Sequence, residues 1–210
     1  MSRIIFCALL CVWTGVPSLA QPSTEPGLDS LLGTIGVTAN PAYADGKLTG
    51  CHLEFTALVR DWTYRNGAFL RVGGSIGILT TNNKPGVTLK VIVHERDPSS
   101  GQFAPMPPAS AYFVSGAKTT KSTLAGSYPS DTPGGLFSVF QLDPAGEMIM
   151  SGVTDGKITF AFARKLGGMD ILVPIETDVA DIRSDGTRVR SPKIVDAFLG
   201  CVLPLLEQSK

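Results

Sequence analysis

Cys51-His52-Leu53-Glu54-Phe55-Thr56-Ala57-Leu58-Val59-Arg60 is the stretch that decides the fold class. Cys51, Leu53, Phe55, Ala57 and Val59 fall on one side, and His52, Glu54, Thr56, Leu58 and Arg60 on the other. Successive side chains of an extended strand point to opposite faces, so this alternation predicts a strand with one buried face. Arg65-Asn66-Gly67-Ala68 follows and carries an Asn-Gly turn signal. Beyond it Leu70, Val72, Ile76 and Ile78 are the apolar positions, and Gly73, Gly74 and Gly77 imply a bulge or a close backbone approach. Thr81-Asn82-Asn83-Lys84-Pro85-Gly86 reads as a loop, and Val87, Leu89, Val91 and Val93 form a third apolar face. Three such strands in a row predict an antiparallel meander.

Outward from there, turn signals recur. Asp45-Gly46, Asp155-Gly156 and Asp185-Gly186 punctuate apolar runs at 136–142, 157–164 and 171–175. A short strand is expected at 111–114, a turn at Asp143-Pro144-Ala145-Gly146, a strand over Glu147 to Met150, and a last hairpin between 180–183 and 187–190. Residues 97–108, rich in Pro, Ser and Gly, read as an excursion or an irregular edge, and 115–135 as loop. One helix closes the chain: Ser191 is positioned as its cap, Pro192 suits its first turn, and Ile194, Phe198, Cys201 and Leu205 share a face. Pro204 is expected to end or kink it. The fold class is therefore mainly β: an antiparallel β-sandwich or a partly open barrel, with one C-terminal α-helix packed on the sheet.

The first residues have a different character. Arg3 precedes the apolar run Ile4–Trp13, and Ser18-Leu19-Ala20 has the small-x-small pattern of a cleavage site. Residues 1–20 read as a cleavable signal peptide, with Gln21 starting the mature chain. The run is about half the roughly 20 residues needed to span a bilayer, so no transmembrane anchor is expected after cleavage. Residues 21–32 read as a flexible lead-in, and 33–210 as a single β-rich domain. The chain carries 18 basic and 18 acidic residues, a balance that gives no reason to expect nucleic acid as a partner. Of the four cysteines, Cys51 and Cys201 lie beyond the leader. Each sits on the apolar face of its element, and the expected compartment is oxidising, periplasmic or extracellular. A disulfide between them is therefore predicted, pinning the helix over the sheet.

Each catalytic motif requires a particular local structure. Gly73-Gly74-Ser75-Ile76-Gly77 matches the Gly-x-Ser-x-Gly elbow, but a strand continues past the serine where a helix is required. Ser115-Gly116-Ala117-Lys118 matches Ser-x-x-Lys, yet Gly116 and the flanking threonines argue against the helical turn that would join amine to hydroxyl. His52, His94 and Glu54 are conceivable metal ligands only if their strands are neighbours. Glu176, Asp178, Asp181 and Asp185 lack the order of a calcium loop. No cofactor and no metal is expected. Asp61-Trp62-Thr63-Tyr64-Arg65 gathers aromatics and an arginine at a hairpin tip, so Trp62, Tyr64 and Arg65 are either cross-strand packing or a contact surface.

Two functions remain from these readings. The first is an exported, non-catalytic binding or structural protein of the cell envelope, its partner an unidentified protein or envelope component. The second is a secreted hydrolase or a small-ligand-binding barrel with a site built from scattered loop residues. Ligand and oligomeric state are not encoded in any motif.

Overall fold

The computed structural model describes residues 27–81 and 84–208. The expected leader, 1–20, and the first part of the lead-in lie outside them. The described end of the lead-in, Leu28–Leu31, is a single 3-10 turn. Asp29 in it accepts a 2.6 Å hydrogen bond from Arg60 Nη2.

A four-strand meander runs through β1 (Gly33–Ala44), β2 (Lys47–Asp61), β3 (Ala68–Thr81) and β4 (Lys84–Arg96). Its first strand was not marked by the sequence. Ile35, Val37 and Ala39 give only a weak alternation there, interrupted by Gly36 and a register shift beside it. Asp45 and Gly46 close the β1–β2 hairpin with φ of 50° and 73°, the left-handed pair that matches strand twist. Asn66 and Gly67 also have positive φ, 47° and 82°. They end a longer loop, because Asp61 is the residue that pairs with Ala68.

β5 (Phe103–Pro105) is a short strand paired to the end of β4, and β6 (Ser110–Ser115) is the strand expected at 111–114. The stretch after it, expected as loop, also holds β7 (Lys118–Thr119) and β8 (Leu124–Pro129). Next come β9 (Gly135–Gln141), helix α1 (Leu142–Thr154), β10 (Lys157–Ala163), β11 (Ile171–Glu176), β12 (Val179–Ile182), β13 (Arg188–Arg190) and helix α2 (Lys193–Glu207). The larger sheet has the order β1-β2-β3-β4-β9-β8, with β5 paired to the end of β4. The smaller sheet is β11-β10-β6-β7, and β12–β13 is a separate hairpin. Every pairing is antiparallel. Neither sheet closes on itself, so the architecture is a sandwich and not a barrel.

The core lies between the sheets. Leu53, Phe55, Val72, Ile76, Leu89 and Val91 of the larger sheet are buried against Phe113, Phe160, Phe162 and Val173 of the smaller one. Phe55 meets Phe160 with ring centroids 5.3 Å apart, and Phe113 meets Phe140 at 5.5 Å. Such pairs add about 0.5–1.5 kcal/mol each beyond their buried area.

Both helices cover the same inner face. Helix α2 lies over β1 and β2 through Phe198, Val202 and Leu205. Its start differs from expectation: Pro192 holds the cap position, and no side chain, Ser191 included, caps it. Pro204 does not end it either, since the helix runs to Glu207. Pro204 and Gly200 are both exposed, on the side of the helix away from the packed Phe198, Val202 and Leu205. Helix α1 overturns the turn expected at 143–146 and the strand expected over 147–150. Asp143 is still extended, with φ −96° and ψ 137°, and the regular helix begins at Pro144. Ala145, Ile149 and Val153, spaced by four, are buried together. Tertiary burial of that stripe prevails over the turn propensity of Asp-Pro-Ala-Gly.

Candidate functional site

With the small sheet and both helices on the inner face, the middle of the larger sheet's outer face stays open, bordered by the β12 backbone at Ala180 beside Gly36 and by the Ser130–Thr132 loop over Gly135. Register sorts its side chains into rows that cross the strands. Thr38, Glu54, Ser75, Lys90, Phe137 and Tyr128 lie opposite one another in turn, from β1 to β8. The neighbouring row is Gly36, Thr56, Gly73, Ile92 and Gly135. Because Gly73 puts no side chain at the middle of the second row, the surface dips into a trough of about 500 Å³. Gly36, Thr56, Gly73 and Ile92 floor it, and Thr38, Glu54, Ser75 and Lys90 stand along one side.

The glycines of β3 do different jobs. Gly74 faces inward with φ 150°, and a Cβ there would lie 1.8 Å from the Lys90 carbonyl oxygen. That is the close backbone approach foreseen from the sequence. The ladders β2–β3 and β3–β4 show no register shift, so there is no bulge. Gly73 is under no such constraint. Its φ is not positive, and a Cβ would find its nearest neighbour, the Phe55 carbonyl oxygen, at an ordinary 3.5 Å. The backbone does not demand glycine at 73; glycine there leaves room.

The charged groups of the trough are held by neighbours. Lys90 Nζ donates to Asp131 Oδ1 at 2.6 Å. That bond, with a further one from the Ser130 hydroxyl, lowers the Asp131 carboxyl to about 2. His52 Nε2 and Glu54 Oε1 are 3.4 Å apart. Ser75 faces Glu54 on one side and Lys90 on the other, in the middle of a strand, so the elbow geometry is absent. His94 faces Arg71 instead of joining His52 and Glu54. Partial burial, then the Arg71 charge, lowers its pKa. No three metal-ligating side chains converge among the described residues. The acidic run at 176–185 is spent internally: Arg190 binds Asp178 and Glu176, Asp181 accepts the Ile182 amide, and Asp185 accepts the Thr187 amide. Ser115 and Lys118 pair across the β6–β7 turn, with Gly116 at φ 58°.

The trio Trp62, Tyr64 and Arg65 is divided. The Tyr64 hydroxyl donates to the Met169 carbonyl at 2.5 Å, and Arg65 Nε donates to Glu95 at 2.7 Å. Trp62 is 70% exposed, its ring laid over Gly67 and 5.7 Å from the Arg60 guanidinium. Cys51 and Cys201 do come together, with sulfurs 1.95 Å apart and Cα atoms 5.8 Å apart.

A second, smaller cavity of about 260 Å³ lies between Tyr112, Lys121, Leu124, Leu166 and Asp170. The Tyr112 hydroxyl donates to Asp170, and Lys121 Nζ stands 4.2 Å from the Tyr112 ring centroid. Burial first, then the Asp170 hydrogen bond, raises the Tyr112 pKa, the opposite of activation as a base.

Sequence reading missed the trough because it is a product of register. Gly36, Thr56, Gly73 and Ile92 come from four strands. The one local signal was the unusual glycine density of β3. No known family, no characterised protein and no solved structure matches this chain.

Proposed function

We propose that the chain is an exported, non-catalytic binding protein of the cell envelope or exterior, and that the outer face of its larger sheet is the binding surface. The observation that carries this reading is Gly73. Glycine weakens a strand by about 0.5–1 kcal/mol relative to a residue with a side chain. Here that cost is met without any steric or conformational need, and what it yields is an open trough. Nucleophile and base are not brought together in that trough, since Lys90 is engaged by Asp131 and Ser75 has no imidazole across from it. Export is supported by the charged, apolar and small-x-small pattern of residues 1–20 and by the cysteine pair. No helix among the described residues is long and apolar enough to cross a membrane.

Two measurements test the proposal. Intact mass of the protein recovered outside the cytoplasm is expected to fit a chain starting at Gln21; an unprocessed chain retained in the cytoplasm would refute export. Purified mature protein is expected to sediment with washed cell-surface material of the producing cells. A protein that stays wholly in the supernatant defeats the binding role.

A further inference from the structure

We infer that the trough binds a polysaccharide chain laid across the strands, with Tyr128 as a stacking platform at one end. This rests on the binding role proposed above and names its ligand class.

The direction comes first. The floor residues Gly36, Thr56, Gly73 and Ile92 stand on β1, β2, β3 and β4. Neighbouring strands lie about 4.8 Å apart, so the floor is about 14 Å long and runs perpendicular to the strands. A peptide that binds by strand addition needs a sheet edge with free backbone groups. At the centre of this floor they are already paired, because β2, β3 and β4 are bonded without interruption in register. Recognition must therefore come from side chains.

Those side chains are hydroxyls and single charges. Thr38, Thr56 and Ser75 offer groups that both donate and accept. Glu54 adds an acceptor, and Lys90 a donor oriented by Asp131. The lining holds one acid, Glu54, and one base, Lys90, the latter paired with Asp131, so no run of like charge selects a polyanion or a polycation. A chain with many hydroxyls, each able to donate and accept, matches this lining. An apolar helix or an acyl chain would leave these groups unpaired.

The aromatic end is the second, independent observation. Tyr128 and Phe137 continue the row of Ser75 and Lys90 onto β9 and β8. The Tyr128 ring lies on Gly126: a Cβ there would fall 2.5–2.9 Å from the ring and hydroxyl atoms. The ring is thus held against the strand, yet the residue is 57% exposed. A flat, exposed tyrosine presents an apolar face with a polar tip, which suits the C–H face of a sugar ring.

The test uses the mature protein and washed cell-surface material of the producing cells in three forms: untreated, periodate-oxidised to cleave vicinal diols, and protease-digested. Binding at least tenfold weaker after periodate, and unchanged after protease, is the expected result. Gly73→Val, which fills the floor, and Tyr128→Ala are each expected to weaken binding at least tenfold. Tyr43→Ala, at another exposed tyrosine outside the trough, is expected to leave it unchanged. Thermal melts establish that each variant folds. Binding that survives periodate but not protease would overturn the polysaccharide assignment and leave the binding role standing. Wild-type affinity in both folded trough variants would overturn the site. Absence of binding to untreated material would remove the binding role itself.

Discussion

Asp61 and Arg164 form an ion pair inside the sandwich: Arg164 Nε donates to Asp61 Oδ2 at 2.8 Å, and Nη2 lies 2.6 Å from the same oxygen. The Asp61 side chain is fully buried. Its other oxygen accepts the Tyr64 amide at 2.8 Å, and Arg164 Nη1 reaches Glu95 at 2.6 Å. The pair ties the end of β2 to the residue after β10, and so one sheet to the other.

Removing one partner of a buried pair leaves an uncompensated charge, which costs about 3–5 kcal/mol. Arg164→Met is therefore expected to lower the unfolding free energy by that amount in urea titration. Asp61→Asn keeps an acceptor for the Tyr64 amide and is expected to cost less, about 1–3 kcal/mol. Equal losses for the two variants would contradict the role given to the buried carboxylate.

The adjacent glycines of β3 give a contrast within one strand. Gly74→Ala is expected to destabilise by about 3 kcal/mol or more, combining strain at φ 150° with a Cβ driven into the Lys90 carbonyl. Gly73→Ala, whose Cβ would meet only ordinary contacts, is expected to stabilise by about 0.5–1 kcal/mol. Chemical denaturation midpoints of the two variants check the difference.

Peptide mapping without reductant is expected to return a single linked peptide containing Cys51 and Cys201. Cys201→Ala is expected to lower stability by about 2–5 kcal/mol. Alkylation of both sulfurs in the native protein before reduction would contradict this.

Asp131 supplies the pH dependence of the trough. Its folded pKa of about 2 lies below the ordinary 3.8, so its contribution is complete above the higher value and is lost as pH falls through the lower one. Nuclear magnetic resonance titration of the Asp131 carboxyl is expected to show a midpoint near 2, moving part of the way back toward 3.8 in Lys90→Met. The Ser130 and Thr132 hydroxyls still hold the carboxylate in that variant, so the return is partial.

The meander, the final hairpin and the terminal helix were legible in the sequence because each is written in local periodicity and turn residues. The meeting of Cys51 with Cys201 was legible for a similar reason: both lie on apolar faces that had to share one core. Within 97–135 only the strand at 111–114 was legible. Strands β5 and β7 are too short to show a period, and β8 is an exposed edge strand with no apolar face. Helix α1 hid behind an Asp-Pro-Ala-Gly sequence that reads as a turn until Ile149 and Val153 are seen to need burial. The trough could not be read from any one strand. It depends on Gly36, Gly73 and Ile92 arriving in line, and no local pattern encodes register across three hairpins.

The bridge between Cys51 and Cys201 spans 150 positions and so turns almost the whole β body into a covalent ring with two tails. A protease that cuts once inside this ring, at the exposed turn 98–100 or at Gly116, opens it without releasing a fragment. Shedding a piece takes a second cut or a reductant. In a space shared with peptidases, the molecule can be nicked and still keep every strand of its sandwich attached.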